Sequence, residues 1–366
     1  MKITKIVLCV SLIVVLLFAM SLMAKSEKGS ASQGPFLAKA ASSQVTRTLS
    51  NISNWSYWMN YNGMSGIDPN SNSGGIYPRG TAGAIFQDGF IWGGKVGTEI
   101  RVGGQTYNVG TTQGWIISEG VAVSTDDPRA RIYRIRPDYQ TLTHAKVLLE
   151  AAEANMVSAS SVTTAMTDEI IAQYETDWNE WPADLGAPTY ADGTPGIANA
   201  DQVVWFVCND LNRTNCLGLY GSEPIGIELQ VTAWAYAQPD SRLGQVIFKK
   251  YKMINKSGSD VTETYVAQWC DPDLGEAGDD LAGCDTTLSM GFAYNGMDKD
   301  SKYSAFGLAP AAIGYDFFQG PLVDGVAGQD INRNGVDDAE DYAVYNLEKV
   351  GPGKVNIPMT GFSWFA

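Results

Sequence analysis

The apolar runs "QVVWFVC" (202–208), "IGIELQVTAWAY" (225–236), "QVIFKKYKMI" (245–254) and "VTETYVAQW" (261–269) decide the fold class. The second run alternates as a strand does, which places four apolar residues on one face: Ile227, Leu229, Val231 and Ala233. The last two runs flank the polar turn "NKSGSD" (255–260), a spacing typical of a β-hairpin. Because no helical pattern separates these strands, they predict antiparallel packing in a β-sandwich.

Composition agrees with a mainly β protein. The chain of 366 residues is 45% apolar and contains 39 glycines, enough for a large core and for many turns. Shifts in composition predict five segments: a signal peptide (1–24), a flexible leader (25–50), an N-terminal β-rich module (51–137), a helical insertion with a loop (138–200) and a β-sandwich module (201–366). We therefore predict a mainly β fold of antiparallel β-sandwiches with a small helical insertion.

Two helical patterns lie in the predicted insertion. The first is "LTHAKVLLEAAEANM" (142–156), and the second, in 167–182, repeats five apolar residues at helical spacing: Ile170, Ile171, Tyr174, Trp178 and Trp181. Thr167 is the predicted N-cap of the second helix, and Pro182 ends it. Before the insertion, "RIYRIRP" (131–137) alternates basic and apolar residues, which predicts a half-buried strand.

The N-terminal residues have the pattern of an export signal. Lys2 and Lys5 precede an aliphatic run from Ile6 to Met23, and Ala24 offers a small residue for cleavage. The run is close to the length that spans a bilayer, so an uncleaved anchor remains the alternative. A cleaved signal predicts an extracellular or cell-surface protein that has no membrane contact once the signal is removed.

The charge of the chain restricts its partners. The net charge is −15 at pH 7, from 25 basic and 40 acidic residues, and signal cleavage removes two further lysines and no acids. A negative field of this size repels nucleic acid, so we predict no nucleic-acid partner. It suits a protein that holds divalent cations outside the cell, where the expected partners are extracellular polysaccharide or cell-surface components.

Four cysteines follow the signal: Cys208, Cys216, Cys270 and Cys284. An even number in an exported protein allows two disulfides, and three connectivities are open. We favour the local pairs Cys208–Cys216 and Cys270–Cys284, with four reduced thiols as the alternative. Neither spacing is CxxC, which argues against a redox or zinc-ribbon role.

The segment "DINRNGVDDAED" (330–341) has the spacing of a twelve-residue calcium loop. Counting from the first aspartate, positions 1, 3, 5, 7, 9 and 12 predict six ligands: Asp330, Asn332, Asn334, Val336 (through its carbonyl), Asp338 and Asp341. Ca²⁺ takes six to eight hard oxygen donors, and Gly335 at position 6 permits the sharp turn of such a loop. We expect a structural Ca²⁺ that fixes this loop, with a solvated Asp/Asn turn as the alternative.

Two positions of this loop depart from a full EF-hand. Asp337 stands at position 8 in place of an aliphatic residue, and Asp341 stands at position 12 in place of glutamate. The apolar position 7 and the terminal acids resemble instead the calcium loops of bacterial thrombospondin type 3-like repeats. Aspartate at position 12 is also similar to dockerin loops, but dockerins use two such loops and one is clear here.

A second acidic segment, "WCDPDLGEAGDDLAGCD" (269–285), offers five carboxylates: Asp271, Asp273, Asp279, Asp280 and Asp285. Their spacing fits no metal-loop template, so a solvated loop is the simpler interpretation. Asp298 and Asp300 in "DKDSK" form a weaker cluster.

The sequence carries no recognisable catalytic constellation. His144 is the only histidine, which excludes sites that need two imidazoles, and we expect it to be exposed on a helix. The stretch "GFIWGGKV" (89–96) imitates a phosphate loop, but Val96 stands where Ser or Thr should bind Mg²⁺. We therefore interpret it as a glycine-rich strand.

The carboxylates and aromatic rings of the chain are also compatible with a second function, the binding or degradation of polysaccharide. A polysaccharide-binding or polysaccharide-degrading extracellular protein needs only a suitable acid pair or a platform of exposed rings. The candidate rings are Trp55, Trp58, Trp92, Trp234 and Trp269.

Several phrases together resemble one group of exported proteins: "RIYRIRPDY", "DWNEWPADLGAP", "ADQVVWFVCNDLN", "WCDPDLGEAGDD" with "GCDTTLSMGFAYNG", and "GYDFFQGPLV" with "IPMTGFSWF". They are similar to the N-terminal region of large, functionally uncharacterised exported proteins of Bacteroidota-like bacteria. Those proteins commonly carry a C-terminal type IX secretion sorting domain, whereas this chain ends at "GFSWFA" without one, as a fragment would. The resemblance implies export and a β-rich surface or secreted protein, and it implies no catalytic residues. Our first expectation is a non-enzymatic protein with structural calcium that serves in adhesion or accessory binding.

Overall fold

The computed structural model describes residues 45–345 and 347–365. The predicted signal peptide and residues 25–44 of the predicted leader lie outside the described residues. The described chain is mainly β, and its strands pair antiparallel, which confirms the predicted fold class.

The first half of the fold contains strands β1 to β10: Arg47–Ser50, Ser56–Asn60, Gly75–Ile76, Gly83–Ile85, Gln87–Val96, Glu99–Gly104, Thr112–Gln113, Ile116–Ser118, Val121–Ala122 and Tyr133–Ile135. Strands β11 to β21 follow: Gln202–Asn209, Ile227–Ala235, Phe248–Asn255, Val261–Asp271, Asp280–Asp285, Met290–Asn295, Ala312–Asp316, Leu322–Asp324, Ala343–Tyr345, Glu348–Val350 and Lys354–Asn356. The α-helices α1 to α4 are His144–Ala154, Thr164–Asn179, Arg213–Tyr220 and Ser301–Ser304.

The central sheet has the strand order β10-β11-β12-β13, and β7 pairs with the far end of β11. Every residue of β11 and β12 is buried. One face of β12 contributes the four residues predicted from its alternation to the largest apolar cluster, and its other face contributes Trp234 to a second cluster with Trp181 and Trp205. These two strands are therefore covered on both sides and form the middle of the fold.

A second layer, with the strand order β14-β5-β6, covers one face of the central sheet. Phe90 of β5 stacks on Tyr251 of β13 with the ring centroids 4.2 Å apart. The turn 255–260 joins the two layers, because β13 pairs with β12 whereas β14 pairs with β5. The predicted hairpin is therefore wrong. The crossover lets both strands face one core from opposite sides, as sandwich packing requires.

The predicted segment boundaries are wrong in two places. Residues 47–50 form β1 and pair with β2, and Leu49 is only 1% exposed, so the fold begins before the predicted leader ends. Trp92 of β5 is the register partner of Val266 of β14, so the segments 51–137 and 201–366 build the same layer. The two predicted β modules are one body with a shared core.

The predicted insertion contains the helices α1 and α2, which pack against each other through a shared apolar cluster. Thr163 caps α2, because its backbone is extended and its side chain accepts a hydrogen bond from the backbone N–H of Met166. The predicted cap, Thr167, is buried one turn inside the helix, where its hydroxyl donates to the carbonyl of Thr164. The prediction of a helix here was correct, but its start was predicted one turn too late. Its end was predicted too late as well, because the helix ends at Asn179 and Trp181 packs in a different cluster.

The three arginines of "RIYRIRP" are buried, which the prediction of a half-buried strand did not include. Arg134 is 1% exposed, and its backbone N–H donates to Asp177 Oδ2 at 2.7 Å. Arg131 forms an ion pair with the same carboxylate, and Arg136 forms one with Glu150. These contacts join β10 to both helices, so the insertion is attached to the central sheet by charge as well as by apolar packing.

The remaining strands form smaller sheets. Their orders are β1-β2-β3-β4, β15-β16-β17, β18-β21, β19-β20 and β8-β9. Among the described residues, no helix combines the length and the apolar character needed to cross a bilayer.

Replacing Asp177 with alanine should destabilise the protein strongly, because the Arg131 guanidinium and the Arg134 N–H lose their buried acceptor. Breaking a buried ion pair costs about 3–5 kcal/mol, and we expect the free energy of unfolding in urea to fall by about that amount. The matched control is Asp184→Ala, which removes the exposed partner of Arg129 and should cost about 1 kcal/mol or less. Equal losses in the two variants would contradict this account.

Candidate metal centre

The predicted calcium loop connects β18 and β19. Gly335 has φ +83°, the left-handed conformation that the turn at position 6 requires. Gly325 approaches the loop so closely that a Cβ there would lie 1.9 Å from the carbonyl oxygen of Asp338. The backbone N–H of Gly353 donates to the carbonyl of Asp341 at 2.9 Å. Neighbouring segments therefore hold both flanks of the loop.

Asp330, at position 1, closes the first half of the loop. Its Oδ1 accepts from the backbone N–H of Asn334 and its Oδ2 from that of Gly335, both at 3.0 Å. The carboxylate thus faces into the turn, as a ligand at position 1 would.

Asp341, at position 12, meets the side chains of positions 3 and 5. Its Oδ2 accepts from Asn332 Nδ2 and from Asn334 Nδ2, each at 2.8 Å. Burial would raise the pKa of Asp341, but hydrogen bonds from the Tyr342 N–H and from the two amides outweigh it, so the pKa is lowered. The carboxylate stays ionised where the loop converges.

The other two predicted ligands lie differently. Asp338 is 2% exposed, and its Oδ1 accepts from the backbone N–H of Ile331 at 3.0 Å. The side chain of Val336 is exposed, and its N–H donates to Asn334 Oδ1 at 2.8 Å. Asp338 therefore stabilises the loop through its hydrogen bond to the backbone of Ile331.

The donor chemistry of the loop fits Ca²⁺, with one rearrangement. Asp330, Asp338 and Asp341 supply carboxylates, and Asn332 and Asn334 supply amide oxygens, which are the hard donors that Ca²⁺ takes. The amide nitrogens face Asp341 in this structure, so both amides must turn before their oxygens can join the carboxylate around an ion. Within residues 45–345 and 347–365, no three His, Cys, Asp or Glu side chains lie close enough together to hold a metal ion.

The second acidic segment does not bring its five carboxylates together. Asp271 accepts from the Tyr107 hydroxyl at 2.7 Å, whereas Asp285 accepts from Thr287 N in a local turn at 2.8 Å. Asp279 and Asp280 lie instead beside Asn295, and the Oδ1 atom of each of these three residues is buried without a hydrogen-bond partner among the described residues. Asn295 was not among the residues predicted from the sequence; its position at the end of a strand, before "GMDKD", was the available signal.

Asp280 is the member of this group with the clearest electrostatic strain. Burial raises its pKa to about 6, and the nearby charges of Asp279 and Asp300 add to the rise, although the Leu274 N–H donates to its Oδ2 at 2.8 Å. Two adjacent acids in a partly buried position therefore oppose each other's ionisation.

The four cysteines are free thiols in the described chain, so the predicted disulfides Cys208–Cys216 and Cys270–Cys284 do not form here. The Cys216 thiol donates to the carbonyl oxygens of Asp210, at 3.0 Å, and of Gly110. Burial raises the pKa of both Cys208 and Cys216, which disfavours their reactive thiolates. They are packed as core residues.

The aromatic residues nominated for a sugar platform do not lie together on the surface. Trp55, Trp58, Trp92 and Trp234 are buried in the core, and Trp269 packs edge-on against Tyr107. The four buried tryptophans provide core packing, as aromatic residues commonly do.

His144 and the glycine-rich segment 89–96 have the structures predicted for them, an exposed helical residue and a strand. The side chain of His144 is 56% exposed, and its Nδ1 lies 2.6 Å from Thr167 Oγ1. The glycine-rich "GFIWGGKV" is part of strand β5, where Gly93 faces Val102 of β6 in register.

Comparisons with known proteins identified no similar protein. No protein-family model matches the chain, and no curated protein or solved structure matches it either. The case for a function therefore rests on the residues and their geometry.

Replacing Asp280 with asparagine should change how stability depends on pH. The folded-state pKa of about 6 lies above the ordinary value of 3.8, so wild-type stability from this group is lost as pH rises from about 4 to about 6. In EDTA, we expect Asp280→Asn to exceed wild type in its urea midpoint at pH 7.5 and to approach it at pH 4.

The control for that measurement is Asp285→Asn in the same hairpin. Hydrogen bonds from Thr287 lower the pKa of Asp285, so this variant should not gain stability at pH 7.5. A gain for Asp280→Asn that is the same at both pH values would refute the electrostatic explanation.

Proposed function

We propose that this protein is exported and works outside the cytoplasm as a non-enzymatic β-sandwich protein with a structural Ca²⁺ in the loop 330–341. It serves there in surface attachment or as an accessory binding module, with extracellular polysaccharide or cell-surface components as partners. Asp330, Asp338, Asp341 and the oxygens of Asn332, Asn334 and Val336 hold the ion.

The observation that carries this proposal is the convergence of positions 1, 3, 5 and 12 of the loop. Asp341 contacts Asn332 and Asn334 directly, and Asp330 accepts from the backbone of positions 5 and 6. A loop that is already folded loses less conformational entropy when it binds an ion. The ion supplies positive charge to carboxylates that otherwise have only amide and backbone N–H donors in the loop.

The position of the loop explains what the ion contributes. Strand β18 precedes the loop and pairs with β21, while β19 follows the loop and pairs with β20. Calcium therefore joins two small two-stranded sheets that would have little stability alone. This is a structural role, and it requires no reaction.

Export is supported by the N-terminal pattern and by the charge. The basic start, the aliphatic run and Ala24 match a signal peptide, and the negative net charge suits a protein in a medium rich in calcium. Adhesion or accessory binding is the role that remains when no catalytic constellation is present in the sequence.

Calcium binding should be measurable by titration calorimetry of the EDTA-treated protein. We expect one site in wild type and at least a tenfold weaker site in Asp330→Ala, because Asp330 supplies a ligand and also closes the turn. Mg²⁺ should bind more weakly, since it demands a smaller octahedral site. If titration of the wild-type protein with Ca²⁺ gives no heat of binding, the proposal is wrong.

Glu340→Ala is the matched control for the calcium titration, because Glu340 lies in the same loop and carries the same charge at a position that is not a ligand. It should keep the wild-type affinity within about threefold, as expected for a screened, non-coordinating charge. An equal loss in Glu340→Ala would indicate that the loop attracts cations only through its net charge.

Export should be visible in the N-terminus of the mature protein. When the gene is expressed in a Gram-negative host, we expect the protein outside the cytoplasm and beginning at Lys25, after cleavage behind Ala24. N-terminal sequencing measures this directly. An intact Met1 in a membrane fraction would instead establish the uncleaved anchor.

A further inference from the structure

Asp88 of β5 and Lys249 of β13 meet between the two layers of the sandwich. Lys249 Nζ lies 2.9 Å from Asp88 Oδ1 and 2.8 Å from Asp88 Oδ2. Asp88 is 1% exposed, and the Lys249 side chain is 12% exposed. The pair is therefore a largely buried amine and a fully buried carboxyl group held face to face by strands of opposite layers.

Tyrosine hydroxyls complete the cluster. The Tyr57 hydroxyl donates to Asp88 Oδ2 at 2.5 Å and also accepts from Lys249 Nζ. The Tyr315 hydroxyl donates to the same Oδ2 at 2.8 Å. Lys249 Nζ donates to both oxygens of Asp88, but the two tyrosine hydroxyls donate to Oδ2. The two carboxyl oxygens are therefore unequal, and Oδ2 is the one surrounded by proton donors.

We propose that Lys249 and Asp88 form an intramolecular isopeptide bond in the mature protein. A new bond joins Lys249 Nζ to Asp88 Cγ, and the bond from Cγ to Oδ2 breaks. Oδ2 leaves as one water molecule with two of the three ammonium protons, and the third remains on the amide nitrogen. The condensation needs no oxidant, reductant or added co-reactant.

The geometry supplies what this condensation requires. A buried ion pair can discharge by moving one proton from the ammonium to the carboxylate, since a low dielectric disfavours both charges. Holding the amine against the acid replaces a bimolecular encounter and so removes the entropic part of the barrier to amide formation. Rotation about the Cβ–Cγ bond of Asp88 then presents the face of the carboxyl carbon to the amine.

Tyr57 lies in position to carry the proton. Its hydroxyl touches both the nitrogen that loses protons and the oxygen that leaves. Burial raises the pKa of Tyr57 and of Tyr315 well above the ordinary value, and Asp88 adds to the rise, so both hydroxyls remain protonated donors. Tyr57 can accept a proton from the amine as it gives its own to Oδ2.

The bond would join strands that are distant in sequence. Asp88 and Lys249 are 161 residues apart, so the cross-link closes a long loop in the unfolded chain. Cross-links that close long loops remove the most conformational freedom from the unfolded state. The bond would thus lock the two layers together in a chain whose described cysteines are free.

Intact-mass spectrometry of the purified, reduced and denatured protein tests the proposal. We expect a mass below that calculated from the sequence by one water molecule, and a tryptic product in which the peptides that contain Asp88 and Lys249 are joined. The full calculated mass after days at neutral pH would overturn the proposal and leave an ordinary ion pair.

Two variants test whether the bond forms independently of whether the protein folds. Lys249→Arg keeps a cation beside Asp88 but lacks an amine that can form the bond, so it should fold and show the full calculated mass. Lys252→Arg changes an exposed lysine of the same strand and should keep the lower mass. Loss of water in Lys249→Arg would overturn the assignment.

The role of Tyr57 has its own readout. Tyr57→Phe should fold and form the bond at least tenfold more slowly than wild type, as followed by mass during the folding of unreacted chains that are taken from inclusion bodies dissolved in urea. Asp88→Asn should still form the bond, but with loss of ammonia in place of water. Unchanged kinetics in Tyr57→Phe would overturn its role as proton carrier, and an Asp88→Asn protein that loses water would exclude Asp88 as the acyl donor.

Discussion

The burial of β11 and β12 on both faces is the constraint from which the rest of the structure follows. The second layer covers one face and the loops with Trp181 cover the other. A polar group near these strands then depends on partners inside the protein, because water does not reach it. Asp210 illustrates this, since it accepts from three consecutive backbone N–H groups, at Ile225, Gly226 and Ile227.

An acidic chain meets this constraint by using its few basic residues in the interior. Lys256 pairs with the buried Glu228, and Arg134 lies over the ring of Tyr174 with its guanidinium 4.6 Å from the centroid. Buried ion pairs contribute specificity more dependably than net stability, because desolvation offsets their attraction. Among the described residues more acids than bases are buried, eight carboxylates against three guanidinium groups, so part of the negative charge of the chain lies in the interior.

The sequence predicted what depends on local periodicity. The alternation of β12 placed Leu229 in the core correctly, and the helical spacing of α2 was correct because one face of that helix is apolar. Pairing between distant strands carries no such signal, so the turn 255–260 was taken for a hairpin, and the acceptors of Arg134 could not be identified. Spacing located the candidate calcium loop, but the directions of its amide groups depend on hydrogen bonds that only coordinates show.

The crossover at 255–260 has a consequence for how the chain assembles. Trp92 of β5 finds its register partner, Val266, only after every strand of the central sheet has been made. Contacts of such long range make folding slow, because the chain loses the entropy of loop closure before it gains the free energy of burying apolar surface. A polypeptide that leaves the ribosome or a translocation pore from its N-terminus would expose the edge of β5 throughout that delay. Chaperones that bind extended, apolar segments would therefore have their longest opportunity at this strand.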